Sequence, residues 1–510
     1  MAISQVGILI TMIVYITGMV AIGISVSKRN ATVGDFYLGG RQLGPLVTAM
    51  SAEASDMSSY LLMGLPGLAY LSGMADVGWT IIGLALGTYL NWLLVAKRLR
   101  RYSGKIKSIT IPSFFSDRYH DDSNILMLVA AAIIIIFFVP YTASGFAACG
   151  KLFSSLFGAN YHVMMVISAI IIIAYTMMGG FLAASITDLI QSIIMTIALV
   201  IMVFFAVRTA GGFGVVIDNA KSLAGYFSLT ATHDPVSKTA SAYGPITILS
   251  TMAWGLGYFG MPHILLRFMA IRHEDEIKLS RRIASIWVVI AMAVAMFIGM
   301  AGLAMSAVGA VPLLEGSASE TIIVEISSLL SQKGFGFALV AGVVLSGILA
   351  CTMSTSDSQL LAASSSVTSD ILNGFFKSNL DEKKLLSIAR VSLLVIAVIG
   401  IFLAWDSNSS VFMIVSFAWA GFGAAFGPVM LLALFWRRSN KWGALAGMIC
   451  GGAMIFIWKF AVRPLGGAWN IYELLPAFIV AIVVNVIVSL VTPAPDKEVT
   501  DEFDAINAGM

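Results

Sequence analysis

The amino-acid sequence predicts an all-α polytopic membrane protein with about thirteen transmembrane helices, some of them broken inside the bilayer. Three observations predict it. Hydrophobic residues make up 59% of the 510 residues and charged residues only 11%, with a mean hydropathy of +0.92, whereas a soluble domain carries about 25% charged residues. Apolar runs of about 20 residues, the length that spans a bilayer as a helix, recur along the whole chain. Two of these runs, 43–68 and 245–270, are interrupted by Ser, Gly, Pro or acid where a smoothly packed helix would carry none.

The runs divide as follows. Span 1 (6–26) is unbroken, and the first basic residue, Lys28, comes after it, so the charged start of a cleavable signal is missing. Span 2 (43–68) carries Glu53 and Asp56 among serines; span 3 (74–96) runs into Lys97, Arg98, Arg100, Arg101, Lys105 and Lys107. Span 4 (124–147) contains Pro140 and Tyr141, and spans 5 and 6 (162–182 and 186–207) precede the long polar segment 208–243. Span 7 (245–270) is interrupted by the run Trp254 to Pro262, and span 8 (283–308) precedes a second polar segment, 309–333. Span 9 (334–372) is too long for one crossing and predicts a helix, a bend and a second helix near the membrane surface. Spans 10 to 13 (386–405, 410–436, 442–462 and 471–492) are ordinary apolar runs, and 493–510 is a short tail.

Lys and Arg concentrate after span 3, between Arg267 and Arg282, and at Arg437, Arg438 and Lys441. Basic loops stay on the cytoplasmic side, which places the N-terminus outside and the C-terminus inside a cell membrane. Anionic lipid is a further use for the 97–107 cluster, and membrane lipid is an expected partner. Cys149, Cys351 and Cys450 lie in or at apolar segments without ligand spacing, so packing is their expected role. There is no phosphate-binding motif, which excludes an ATP-driven pump. Nothing points to an enzyme, to nucleic acid or to an obligate protein partner.

A carboxylate near the bilayer centre costs roughly 2.5–3.5 kcal/mol on insertion scales, so it faces a pathway or a partner. A broken helix with an acid at the break is how secondary transporters hold a cation. The break in span 2 is expected around Ser51–Asp56. Span 7, five spans later, enters from the opposite side, as an inverted repeat requires. Span 9 offers Gly347, Cys351, Ser354, Thr355 and Ser358 on one helical face. These are small residues and hydroxyls, suited to a helix seam or, opposite the broken span, to an alkali cation. Trp254, Tyr258 and Phe259 beside Gly255, Gly257 and Gly260 let a ligand approach the backbone while rings cover it.

The stretches 38–58, 175–191, 254–270 and 418–428 resemble the sodium:solute symporter family, with similarity running from about residue 10 to 495. The resemblance implies a leucine-transporter-like five-plus-five inverted repeat: an extra span and loop (6–42), repeats at 43–207 and 245–436, and two last spans (442–492). It implies import of a small solute, L-proline, with sodium as coupling ion and no other cofactor. Its sodium ligands fall on the carbonyls of Ala54, Met57 and Cys351 and the hydroxyls of Ser354 and Thr355. Asp56 and Ser58 fall on residues that support ion and substrate coupling. Tyr141, Trp254, Tyr258 and Pro262 fall on the solute pocket, and Arg41 on a functional arginine at the inner end of span 2. Glu53 stands where a small residue is usual, which assigns it to coupling or gating. Ser59 and Tyr60 replace a common Gly-Trp pair. Asp357 adds a carboxylate near Asp188, and two unneutralised acids would repel unless a bound cation or a shared proton intervenes or Asp357 faces an inner aqueous vestibule; the resemblance implies a second cation site here, formed by Asp188, Ser354, Asp357 and Ser358. The rival readings are another small carboxylate such as pantothenate as solute, or a sensor or channel on the same fold.

Overall fold

The computed structural model describes residues 3–27, 32–378 and 380–508; Lys28 and the last two residues of the tail lie outside them. Ten helices among the described residues are long and apolar enough to cross a membrane. One of them, Tyr161–Thr209, has 49 residues, about 73 Å at 1.5 Å per residue and more than twice a hydrocarbon core. Gly180 (φ 61°, ψ −168°) breaks it into spans 5 and 6. The two interrupted segments, 45–72 and 245–270, fall short as single helices and each complete a crossing in pieces. With them the described chain has the thirteen crossings expected.

The break in span 2 is not where the serines are densest. Pro45 opens a helix that stays regular through Met57, and Ser58 (φ 45°, ψ −171°) then turns the chain. A π-helical turn (Tyr60–Gly64) and a helix (Leu65–Ser72) complete the crossing. In span 7 the helix Pro245–Met252 tightens into a 3-10 stretch, Ala253–Phe259, and restarts at Pro262, whose ring suits a first helical turn. That interruption lies where the glycines place it. Span 9 departs from expectation. It runs unbroken from Phe335 to Phe375, widening into π-helical winding at Ser366 instead of bending.

Span 9 is the axis of the bundle: all residues from Val344 to Ser365 are buried. Spans 1, 2, 4, 5, 6 and 10 pack round it, while Ile13, Val14, Ile136, Phe204, Ile286 and Leu490 point outward as lipid-facing surface. Spans 3 and 7 meet backbone to backbone, because a Cβ at Gly87 or Gly255 would overlap the main chain of the other span. Gly87→Ala is expected to cost about 1–3 kcal/mol through overpacking, read as a lower melting temperature of the detergent-solubilised protein.

The polar segments are structured. Segment 208–243 holds a helix, Phe213–Ser222, and a small antiparallel hairpin pairing Ala231–His233 with Ala240–Ala242. Segment 309–333 holds Gly316–Thr321 and Ile322–Ser331. On the opposite side the tail helix Lys497–Asn507 packs under the basic cluster: Arg98 bonds Asn507, and Arg101 donates to Glu274 at 2.5 and 2.8 Å. The Arg101 hydrogen bonds hold the Glu274 carboxyl below the usual range. Protein groups therefore occupy much of the cluster that the sequence left open to lipid. Cys149, Cys351 and Cys450 are free thiols.

Candidate functional site

The site is built round Ser58. Its positive φ is uncommon outside glycine, and its Oγ accepts the Tyr60 N–H at 3.1 Å, holding the turn. Just before it, the Ala54 carbonyl accepts the Ser354 hydroxyl at 2.8 Å, and the same hydroxyl lies 3.1 Å from the Cys351 carbonyl. The break and the polar face of span 9 therefore meet, as their chemistry requires. Thr355, one residue on, is buried, and its Oγ1 has no hydrogen-bond partner among the described residues. Met57 carries its carbonyl, an acceptor for the Tyr60 N–H, at the turn itself. An alkali cation takes hard oxygen ligands, carbonyl and hydroxyl among them, and this donor set fits one without a carboxylate.

Beside it is a cavity of about 10 Å³, lined by Asp56, Met57, Tyr60, Leu84, Tyr141, Trp254, Val415 and Trp419; that is room for about one water. Asp56 accepts the Tyr258 hydroxyl. Trp254 stacks with Tyr60 (ring centroids 5.7 Å apart) and Tyr472 (5.3 Å), while Phe412 covers its other edge at 5.5 Å. Trp419 donates its indole N–H to the Trp254 carbonyl at 2.7 Å. The hydroxyls of Tyr60 and Tyr141 are buried without a hydrogen bond of ordinary geometry among the described residues.

Asp56, Tyr141 and Trp254 thus line the cavity, whereas Tyr258, Ser58 and Pro262 stand behind it. Tyr258 holds Asp56, Ser58 makes the turn, and Pro262 starts a helix. Sequence reasoning missed Tyr60, Trp419, Phe412 and Tyr472. Tyr60, named as a departure beside the break, and Trp419, inside the 418–428 stretch, carried a signal.

Among the residues of the expected second cation site lies a cation that sequence reasoning did not place there, Arg267. Asp188 and Asp357 are both fully buried; Arg267 pairs with Asp188, whereas the hydrogen-bond partners of Asp357 are the neutral hydroxyls of Tyr175 and Ser358. The Arg267 guanidinium donates to Asp188 Oδ2 at 3.2 Å, to Ser51 Oγ at 3.0 Å and to Ser358 Oγ at 2.6 Å. Ser51 also donates to Asp188 at 2.6 Å, and Tyr175 donates to Asp357 at 2.8 Å. The positive charge among Asp188, Asp357 and Ser358 is a side chain, and Ser354 turns instead to the Ala54 carbonyl. Arg267 itself, grouped by sequence with the loop cations, is 1% exposed.

Polar contacts tie the bundle at both of its ends. Arg41 spends its guanidinium on the carbonyls of Met269 (2.7 Å), Ser103 (2.9 Å) and Ser108 (2.6 Å), tying the start of span 2 to the ends of spans 3 and 7. At the other end Glu320, 4% exposed, pairs with Lys151 at 2.9 Å and accepts from Ser410 Oγ and the Phe412 N–H. That contact seats Phe412 over Trp254. Glu53, 1% exposed, accepts the Trp92 indole N–H at 3.1 Å.

Residues 36–451 match the model of the sodium:solute symporter family. The chain is 41% identical over 491 residues to the high-affinity proline transporter of Bacillus subtilis, covering 95% of this chain and 98% of that one. It is 42% identical over 503 residues to the sodium/proline symporter of Haemophilus influenzae, covering 97% of each. Among solved structures, a sodium-coupled sialic acid symporter in a substrate-bound outward-open state superposes with a TM-score of 0.80 at 18% identity, over 98% of this chain and 99% of the other. The nucleobase-cation symporter Mhp1, closed on bromovinylhydantoin, gives 0.56 at 14% identity over 92% and 98%. The fold is thus the leucine-transporter-like one expected.

Proposed function

Because this chain belongs to the sodium:solute symporter family, we propose that it imports L-proline with sodium by exposing the cavity at the Ser58 break to each side of the membrane in turn. The observation that carries this reading is the Thr355 hydroxyl, buried without a hydrogen-bond partner among the described residues beside Ser354 and the Ala54 and Cys351 carbonyls. Sodium is held by the carbonyls of Ala54, Met57 and Cys351 and the hydroxyls of Ser354 and Thr355. Leaving the Ala54 carbonyl, the Ser354 hydroxyl turns its lone pairs to the ion. Proline is compact, apolar on its ring and zwitterionic. Asp56 meets the ring ammonium, the Tyr60 and Tyr141 hydroxyls meet the carboxylate, and Trp254 covers the ring. Sodium binding across spans 2 and 9 steadies the break and so shapes the solute cavity next to it.

The protein sits in the cell membrane with its N-terminus outside. Arg41 then ties the cytoplasmic end shut, and Glu320 with Lys151 the outer end. Inward opening breaks the Arg41 bonds and outward opening frees Glu320.

Labelled proline uptake into proteoliposomes tests the reading. An inward sodium gradient drives accumulation, a proton gradient alone does not, and unlabelled pantothenate fails to compete. Uptake indifferent to sodium, or blocked by pantothenate and not by proline, overturns it. Trp254→Ala removes one wall of the cavity and is expected to weaken apparent proline affinity about tenfold, roughly 1.4 kcal/mol, with little change in sodium affinity. Equal losses of both would assign Trp254 to packing.

A further inference from the structure

On the face of span 2 turned away from span 9, three buried oxygen atoms end without a hydrogen bond of ordinary geometry among the described residues. They are Glu53 Oε2, Thr88 Oγ1 and Asn91 Oδ1. Glu53 and Asp56, three residues apart, share one helical face, while Ser51 and the Ala54 carbonyl are turned to Asp188 and Ser354. Span 3 answers that face with Thr88 and Asn91, also three residues apart. Trp92 donates to Glu53 Oε1 at 3.1 Å and Asn91 Nδ2 donates to the Tyr258 carbonyl at 2.9 Å. Thr88 lies beside the Tyr258 hydroxyl, which donates to Asp56. Contacts of Trp92 with Glu53, of Asn91 and Thr88 with Tyr258, and of Tyr258 with Asp56 thereby bring spans 2, 3 and 7 together round these residues.

The charges do not balance there. Glu53, Thr88 and Asn91 are each 1% exposed or less, and an isolated buried carboxylate is costly unless paired. The other buried titratable or charged groups round this part of span 2 include Asp188, Arg267, His263, Asp357, Tyr60, Tyr141, Tyr175, Tyr258 and Cys351. The one buried cation of that set, Arg267, is committed on the opposite face to Asp188, Ser51 and Ser358. Asp56 adds a second acid beside Glu53.

We propose that Glu53, Thr88 and Asn91, with Asp56 alongside, hold a second sodium ion. One carboxylate with an amide and a hydroxyl oxygen is a hard donor set of low charge, which suits a monovalent ion better than calcium, with its 6–8 oxygen ligands. Tyr258 connects this ion to the solute cavity through Asp56. The inference rests on the sodium-symport reading above, and it adds an ion whose ligands share no residue with the span 9 site.

Equilibrium binding of radioactive sodium to the purified full-length protein tests it. The wild type is expected to bind two ions per chain, and Glu53→Gln and Thr355→Ala one each. If Glu53→Gln does not accumulate, Thr88→Val keeps the side-chain shape and is expected to weaken one of the two binding steps about tenfold. In uptake, the Hill coefficient for sodium falls towards one in the Glu53 or Thr88 variant. One ion in the wild type, lost in Thr355→Ala, overturns the second site and leaves the symport reading intact. A wild-type sodium count and affinity in the Glu53 or Thr88 variant overturns it equally. A wild type that binds no sodium overturns the symport reading and the second site together.

Discussion

Asp188→Ala is expected to abolish stable accumulation of the carrier. The Arg267 guanidinium is 1% exposed and has Asp188 as its ion-pair partner at 3.2 Å. Removing one partner of a buried pair strands the other charge, which costs about 3–5 kcal/mol, a large part of the roughly 5–15 kcal/mol that holds a typical fold. The remaining contacts of Arg267, to Ser51, Ser358 and the His263 carbonyl, are neutral and do not replace the charge. The double variant Asp188→Ala with Arg267→Met removes both charges and is expected to recover most of the loss. Thermal melting in detergent, alongside the amount of protein in the membrane, reads both. A single variant as stable as the wild type would show that the pair contributes little.

Thr355→Ala is expected to raise the sodium concentration for half-maximal uptake by about 10- to 100-fold. The estimate follows from the roughly 1.5–3 kcal/mol of a hydrogen-bond-strength contact to a charged group, at about 1.4 kcal/mol per decade. Stability should change little, because the hydroxyl makes no hydrogen bond among the described residues whose loss could cost anything. Thr355→Ser keeps the oxygen and should restore most of the affinity. Ser354→Ala combines two effects, since its hydroxyl also serves the Ala54 carbonyl, so it lowers both sodium affinity and melting temperature. Unchanged sodium dependence in Thr355→Ala would remove that hydroxyl from the ion's shell.

The sequence made the breaks visible but not always where they fall. Glycines and Pro262 located the span 7 interruption, because those residues act through their own backbone geometry. In span 2 any of several serines could have turned the chain, and the choice of Ser58 depends on tertiary packing. That the span 9 face meets the break in span 2 was legible because Cys351, Ser354, Thr355 and Ser358 fall on one helical face, while Ala54 as the partner came only from the family resemblance. Arg267 was not: it lies five residues before Arg272 at the start of a basic loop, so its composition signal matches that of a topology determinant. The aromatic wall escaped for a different reason. Phe412, Trp419 and Tyr472 reach Trp254 from spans more than 150 residues away, and an aromatic residue in an apolar run has the same local pattern whether it faces lipid or cavity.

The narrow cavity has a kinetic meaning. Space for about one water cannot admit an amino acid, so on the proposed reading the solute enters only molecules in which the Glu320 contacts have let Phe412 move. Apparent affinity is then the intrinsic affinity diluted by the fraction of open molecules: if one carrier in ten is open, binding looks about tenfold weaker than the contacts alone would give. On the proposed reading, solute concentration curves measure a door as well as a pocket, and residues far from the solute, Lys151 among them, set part of the number.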